Sequence, residues 1–406
     1  MNISQISLLT GCRDKPYALG LATALAEAGV KIDFIGSDEL DSPELRDNSQ
    51  IHFLNLRGEQ SVDARLLQKM TRVLVYYFRL ISYAVMAKPK VFHILWNNKF
   101  ELFDRTVLML FYKLMGKQII LTAHNINIGQ RDGQDTRLNR ATLKFQYRLC
   151  DHIFVHTAKM KSELCAKFGV REDKSSVIPL GINQTVPNTA LTGAEARRGL
   201  SIASHDKVIL FFGQIAPYKG LEFLVAAFYQ IARLDQDYRL IIVGRPKGPK
   251  HYWNGIKESI SVSSVRDQVI QKIEFVPDAD TELYFKAADV LVLPYVHIFQ
   301  SGVLFLAYSF GLPVIAADVG SLKEEIIKGK TGLVFEAQNT AALARTIQNY
   351  FESDLYRKLE VYRREIQDFA SARYSWSKVA AITTAVYAKL LLTEKPYRAQ
   401  CVPEKS

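Results

Sequence analysis

Hydrophobic positions along the chain fall into two alternating rhythms. Short apolar runs of β type recur through the first half at Ile6–Leu9, Lys31–Ile35, Ile51–Leu56, Val91–Leu95, Gln118–Thr122, His152–His156 and Ser176–Leu180. Through the second half they recur at Val208–Phe212, Arg239–Val243, Ile273–Val276, Val290–Pro294, Pro313–Ala316 and Gly332–Phe335. Amphipathic segments of helical period separate most of them, such as Pro16–Ala28 and Leu221–Ala232. Strands alternating with helices build βαβ units and parallel sheets covered on both faces. The pattern restarts near the middle, where polar Asn183–Ser204, with Pro187, Asn188, Thr192 and Gly193, reads as a linker. The expectation is an α/β protein of two Rossmann-like, doubly wound domains, 1–183 and 205–370, facing each other across a cleft. Beyond Phe335 the chain turns helical through Asn339–Phe351, Asp354–Ala370 and Tyr374–Leu391, and Thr393–Ser406 reads as frayed. Doubly wound sheets hold ligands at the carboxyl ends of their strands, so candidate chemistry is sought there.

Composition narrows the classes. With 48% hydrophobic and 23% charged residues, a 406-residue chain is neither disordered nor fibrous. Cys12, Cys150, Cys165 and Cys401 are scattered and form no CxxC, so neither a zinc site, a redox motif nor a disulfide scaffold is written here. Met1–Thr10 lacks the basic residues of a signal peptide, which predicts a cytoplasmic protein in which the Asn2 and Asn183 sequons carry no weight. Val290–Ala317 has no charged residue, yet Pro294, Gly302, Gly311 and Pro313 break it into strand, turn, helix and strand rather than one membrane helix. The net charge of +11 is uneven: Ser61–Cys150 holds 15 Lys and Arg against 5 Asp and Glu, and the rest is nearly balanced. That asymmetry points to an anionic partner: phospholipid, a phosphate-bearing substrate or nucleic acid.

The densest motif opens the second half. In Phe212-Gly213-Gln214-Ile215-Ala216-Pro217-Tyr218-Lys219-Gly220 a strand ends, a glycine turns and a helix begins. Lys219 stands at that helix start, where free amides and the dipole already favour an anion. A capping turn with a solvated lysine is the competing reading. The second piece, Gln300-Ser301-Gly302-Val303-Leu304, opens a buried helix that Gly311 and Pro313 close. Both pieces belong to the same edge of one sheet.

These pieces, with Ala288–Pro294 and Val319–Glu325 through Gly329–Val334, resemble the C-terminal half of glycosyltransferase family 4, retaining enzymes of the GT-B fold. The first half is similar more loosely, through its α/β pattern and Thr122-Ala123-His124-Asn125. The resemblance implies a nucleotide-sugar donor on the second domain, an acceptor on the first, no metal, and a final helix, 371–392, that crosses back to the first domain. It implies donor-binding roles for Gly213, Gln214, Arg245, Gln300, Ser301, Gly302 and Val303, and catalytic roles for Lys219 and His124. Two departures stand out. The family usually carries an arginine where Gln214 stands, and Arg245 or Lys247 is the candidate replacement. Its E-x7-E glutamates fall on Ile298 and Leu306, which marks a subgroup lacking the pair.

In the first half, a neutral imidazole at His124 can accept a hydrogen bond from a sugar hydroxyl. Gly11, Asp14 and Lys15 follow the first strand as an acceptor or diphosphate loop, or as a helix cap. Arg65–Lys88 mixes cations with Leu74, Tyr76, Tyr77, Phe78 and Tyr83, and Phe103–Lys117 is similar; both read either as helices lying on an anionic membrane or as ordinary buried helices. Trp96 leaves a strand end as a candidate for stacking on a glycan. The resulting expectation is a hexosyltransferase moving sugar from a nucleotide-sugar to a glycan or lipid-linked saccharide in bacterial surface or exopolysaccharide synthesis, cytoplasmic or peripheral on the inner membrane face. It uses no cofactor beyond its substrates. A non-catalytic GT-B protein and a sugar-nucleotide epimerase are the alternatives. Nucleic acid ranks last as a partner because no binding module is present.

Overall fold

The computed structural model of the protein describes residues 5–60, 65–131, 135–182 and 186–393. Asn2, Asn183, Cys401 and the tail beyond Thr393 lie outside them. The described residues group into two compact units. One takes in the chain up to Ile126, Thr136–Ile178 and the part from Trp376 onward; the other takes in Asn127–Asp135 and Pro179–Ser375.

The first unit is a seven-stranded parallel sheet: β1 (Ile6–Leu9), β2 (Ile32–Gly36), β3 (Ile51–Asn55), β4 (Val91–Ile94), β5 (Gln118–Thr122), β6 (His152–Val155) and β7 (Ser175–Val177), in the order β3-β2-β1-β4-β5-β6-β7. The second has six parallel strands: β8 (Lys207–Phe212), β9 (Tyr238–Val243), β10 (Val269–Lys272), β11 (Val290–Leu293), β12 (Val314–Ala317) and β13 (Gly332–Phe335), in the order β10-β9-β8-β11-β12-β13. The central strands β1, β4, β6, β11 and β12 are buried along their whole length. Helices cover both faces, which is why these strands read as continuous apolar runs. In each sheet the strand order reverses once, between β1 and β4 and between β8 and β11. At such a switch point the loops diverge and leave a crevice.

The final helix, Trp376–Thr393, packs in the first unit against the Lys15–Glu27 helix. Trp376 closes over Gly20, where even a methyl group would stand 2.2 Å from the indole. Further along, the Tyr387 hydroxyl meets His93 Nδ1 at 2.6 Å, and His93 Nε2 meets Thr122 Oγ1 at 2.8 Å. A buried imidazole thus ties the last helix to β4 and β5.

Three local expectations need correcting. The strand expected at Ile273–Val276 is instead β10, Val269–Lys272, an edge strand with Gln271 and Lys272 exposed. The stretch read as a linker contains a helix, Gly193–Gly199, started by a capping box between Thr192 and Glu195. Asp354–Ala370 is two helices, Asp354–Arg357 and Leu359–Arg373, parted at Lys358. Among the described residues no helix is long and apolar enough to cross a membrane.

Candidate functional site

The switch point of the second sheet gathers most of the predicted residues. β8 ends at Phe212, and Pro217–Lys219 forms a single 3-10 turn before the Leu221–Ala232 helix. Gly220 joins the two with φ 63°, and a Cβ there would stand 2.1 Å from the Pro294 carbonyl oxygen. Only glycine permits that approach. It presses the turn against the end of β11 and brings Lys219 to Tyr295. Lys219 is buried, 7% exposed. Its Nζ donates to the Tyr295 hydroxyl at 2.6 Å and lies 4.4 Å from the ring centroid. The Tyr295 hydroxyl in turn lies 3.2 Å from Ser301 Oγ.

Around this group the backbone is left uncovered. A Cβ on Gly213 would stand 3.4 Å from Lys219 Nζ and 3.6 Å from Val303 Cγ2, so Gly213, Lys219 and Val303 share one hollow. Gly302, the first residue of the Gly302–Ser309 helix, has nothing within 4 Å of its Cβ position. The first amides of that helix have no intrahelical acceptor, and Ser301 makes no side-chain cap to them. A buried ammonium, a hydroxyl and an open helix start together make a candidate cradle for an anion. Gln214 and Arg245 lie exposed on its rim. They are neighbours because Ile215 pairs with Pro246: the Ile215 N–H donates to the Arg245 carbonyl and the Lys247 N–H to the Ile215 carbonyl. Gln300 is half-buried with its Oε1 enclosed and unpartnered among the described residues. Its side chain also reaches Glu325, a carboxylate raised above its usual range mainly by burial and bonded to the Tyr374 hydroxyl.

In the first unit the corresponding switch point carries an aromatic and histidine cluster. His124 follows β5, and Trp96 follows β4. Their rings stack at 4.0 Å and 3°, and the Tyr17 ring meets His124 edge-on at 4.5 Å. Trp96, read as a sugar platform, thus has one face on the imidazole. A hydrogen-bond chain fixes the proton. His156 Nδ1 lies 3.2 Å from the Ile178 carbonyl, and His156 Nε2 lies 2.9 Å from His124 Nδ1. A carbonyl only accepts, so His156 carries its proton on Nδ1 and accepts at Nε2. His124 must then carry its proton on Nδ1, which leaves Nε2 as a bare acceptor. That Nε2 is enclosed and has no partner among the described residues. Burial, with the His156 and His93 imidazoles nearby, holds the His124 pKa well below the usual value, and burial brings His156 to about 4. Both rings are neutral at physiological pH.

The loop after β1 is engaged locally. Gly11 has φ 58° and would clash with the Trp96 carbonyl at 2.6 Å if it bore a Cβ. Asp14 caps the first helix by accepting from the Tyr17 N–H at 3.3 Å, and Lys15 Nζ donates to the Asp41 carbonyl at 3.3 Å. Arg57 Nη1 donates to the Gly11 carbonyl at 3.1 Å. Arg57, Tyr295, Tyr17 and His156 are the site residues that sequence reasoning passed over. Tyr295 had a signal, since it directly follows a strand end beside the motif. His156 directly follows β6, the neighbour of β5, and that adjacency exists only in the folded sheet. A grouping of His205, Asp206 and Asp237 brings potential ligand atoms within 4.8 Å, but at the amino end of β8, away from the cradle. Asp206 there pairs with Arg239 at 3.1 Å.

Comparison with known proteins adds the following. The family model described as "Glycosyltransferase Family 4" matches residues 16–186, and that described as "Glycosyl transferases group 1" matches residues 206–353. A D-inositol 3-phosphate glycosyltransferase of Corynebacterium glutamicum (strain R) is 24% identical, over 97% of this chain and 98% of its own. Among solved structures, sucrose-phosphate synthase from Thermosynechococcus elongatus superposes with TM-score 0.73 at 21% identity, over 96% of this chain and all of that one. HepE of Anabaena, in complex with UDP and glucose, superposes with TM-score 0.71 at 16% identity, over 95% and 99%.

Proposed function

The chain belongs to glycosyltransferase family 4 and is a glycosyltransferase of the GT-B type, and on that premise we propose that it is a retaining hexosyltransferase. It moves a sugar from a nucleotide-sugar donor to a glycan or lipid-linked saccharide acceptor for a bacterial surface polysaccharide, at the cytoplasmic face of the membrane. The donor diphosphate occupies the cradle of Lys219, the Gly302 helix amides and Ser301, with Gln214 and Arg245 at its rim. The HepE structure with UDP and glucose supports a donor of that class.

The bond from the sugar C1 to the β-phosphate oxygen breaks, and the acceptor hydroxyl oxygen bonds C1 on the same face. The acceptor proton passes to the departing phosphate oxygen. Lys219 and the amides stabilise the charge that gathers there, which is electrostatic catalysis by preorganised donors and needs no metal in this reading. His124, neutral and held through Nδ1 by His156, orients the transferred sugar in this reading. No covalent intermediate on the protein is invoked. The observation that carries the reading is the buried Lys219–Tyr295–Ser301 group beside the open helix start.

The test is thermal shift with UDP, GDP, ADP, CMP and dTDP and their sugar conjugates, followed by the anomeric configuration of the product by NMR. One base should stabilise the protein selectively, and the product should keep the donor's configuration. If no nucleotide moves the melting point, the reading fails and a non-catalytic protein takes its place.

A further inference from the structure

The helix start that forms one wall of the candidate cradle has no side-chain cap of its own. Ser301 stands at the N-cap position and makes no side-chain bond to the first amides of helix Gly302–Ser309. Such an end ordinarily takes a Ser, Thr, Asp or Asn oxygen onto its free N–H groups, and the cap then occupies donors that an anion would use. Here the two residues before the start are fixed from the side instead. Ser301 Oγ lies 3.2 Å from the Tyr295 hydroxyl, and the Gln300 side chain reaches the carboxylate of Glu325.

Backbone contact between two loops brings Glu325 there. β12 ends at Ala317, and Gly320, with φ 59°, lies where a Cβ would stand 1.9 Å from the Ile298 carbonyl oxygen. The Ser321 N–H donates to the Phe299 carbonyl at 3.0 Å. These contacts seat the loop after β12 on the loop after β11, and the short helix Leu322–Glu325 follows directly. The Glu325 side chain is buried, with the Tyr374 hydroxyl donating to it and Arg373 Nη2 at 3.6 Å. Its backbone carbonyl is held by the Tyr308 hydroxyl at 2.9 Å. Among the described residues of the second unit, the other buried carboxylates lie elsewhere: Asp206 and Asp289 precede β8 and β11, and Glu282 pairs with Lys286 on its own helix. A carboxylate only accepts, so Gln300 presents its amide nitrogen to Glu325, and that bond fixes which way the amide faces.

We propose that Glu325 is a positioning residue for the donor: by holding Gln300 it keeps the Ser301–Gly302 helix start in place while leaving the helix amides open to a phosphate. Anchoring from the side does what a cap would do for the loop without spending the donors. The fold alone does not ask for a carboxylate at this place. An apolar side chain would pack here without the desolvation cost, as Leu322 and Ile326 beside it do. The proposal rests on the donor reading above and adds to it a residue that touches neither the nucleotide nor the sugar.

The test is calorimetric affinity of the full chain for UDP, GDP, ADP, CMP and dTDP, with the unliganded melting temperature measured alongside. Wild type should bind one of them. For that nucleotide Glu325→Gln, which keeps the shape of the side chain, should weaken binding about 10-fold, the scale of losing a hydrogen bond to a charged group. Gln300→Ala should do the same, and the two losses should not add in the double variant, because both break one contact. Gln300→Glu sets a second carboxylate against Glu325 and should bind more weakly than Gln300→Ala. Adding Glu325→Gln to it restores an amide–carboxylate pair in reverse and should recover at least about fivefold. A side chain that served only the fold would lower the melting temperature and leave the affinity of the folded protein unchanged. The proposal is overturned by a Glu325→Gln variant that binds like wild type, by losses that add, by an exchange that recovers nothing, or by Gln300→Glu binding no more weakly than Gln300→Ala. The last comparison needs no change at Glu325, so it decides the matter even where Glu325→Gln does not fold. Any of these results leaves the donor reading standing as long as Lys219→Met loses the nucleotide. A wild type that binds none of the five ends the donor reading and this proposal with it.

Discussion

Replacing Lys219 by methionine should separate stability from binding. The ammonium is buried with a phenol hydroxyl as acceptor and the phenol ring beneath it. Taking a cation out of water costs several kcal/mol, against which stand the hydrogen bond to Tyr295 and a cation–π contact of about 2 kcal/mol. Methionine fills similar space without charge. The Tyr295 hydroxyl keeps Ser301 Oγ as a partner, so no polar group is orphaned. The unliganded variant should therefore match wild type or gain up to about 2 kcal/mol. For a unit of this size that is a rise of roughly 0–8 °C in melting temperature. Binding should move the other way. Losing a charged hydrogen bond to the donor diphosphate costs about 1.5–3 kcal/mol, or roughly 10- to 150-fold in affinity. At a nucleotide concentration near 100 times the wild-type Kd, wild type gains about 2.7 kcal/mol, whereas a variant weakened 100-fold gains about 0.4 kcal/mol. Thermal shift with and without the preferred nucleotide reads both quantities in one experiment. A variant that keeps the nucleotide-dependent shift would refute the cradle. One that loses more than about 1 kcal/mol unliganded would show that Lys219 is held for the fold.

Three further expectations follow from the same geometry. Gly220→Ala forces a Cβ to within 2.1 Å of the Pro294 carbonyl at φ 63°, and should cost about 2 kcal/mol or more by urea unfolding and weaken nucleotide binding, because it displaces Lys219 from Tyr295. His156→Gln removes the acceptor that sets the His124 proton, and should lower kcat about 10- to 100-fold with nucleotide affinity unchanged; an unaltered kcat would show that the tautomer is immaterial. His93, His124, His152 and His156 are all held below the usual imidazole value by burial, His93 to about 3 and His152 and His156 to about 4. The unfolded chain takes up these protons near pH 6.5 and the folded chain does not. Stability should therefore fall as pH drops from about 6.5 toward 4, by about 1.4 kcal/mol per pH unit for each, and a flat urea midpoint over that window would contradict their burial.

The sheets were readable because their strands are buried on both faces. Apolar runs such as Val290–Leu293 leave little choice of reading. β10 failed for the opposite reason. An edge strand has one side open to solvent and carries polar residues against unwanted pairing, so Gln271 and Lys272 hid it. The neighbouring apolar run misled because its residues part ways in the fold: Val276 joins the core while Phe275 is 67% exposed. The placement of Lys219 in the turn after β8 and of Gly302 at a helix start was legible from glycine and helix-start chemistry. The His156 relay was not, since it joins residues 32 apart through two adjacent strands. Asp14 and Lys15 look alike as ligands or caps in sequence, and only coordinates show them engaged with Tyr17 and the Asp41 carbonyl.

The missing family residues bear on whether the site is still in use. Leu306, at one absent glutamate, is 6% exposed inside the apolar core of the second unit. A carboxylate there would be buried among hydrocarbon at high cost. Ile298, at the other, packs partly against the same core, and its carbonyl sits where Gly320 leaves room for it. Both positions are thus apolar and packed on the core of that unit. The absent arginine is a different matter. Gln214 lies on the exposed rim, and backbone pairing through Ile215 and Pro246 sets Arg245 and Lys247 beside it. A cation is therefore available next to the position where the resemblance expects one. Lys219 is the decisive residue. A chain freed from binding anions would lose little by letting a buried ammonium go, since neutral replacements pack as well without the desolvation cost. This chain instead keeps the ammonium enclosed, with Gly220 seating its turn, a phenol to hold it and Gly213 left open beside it. That combination suits a site that takes up an anion, which is the role proposed for it.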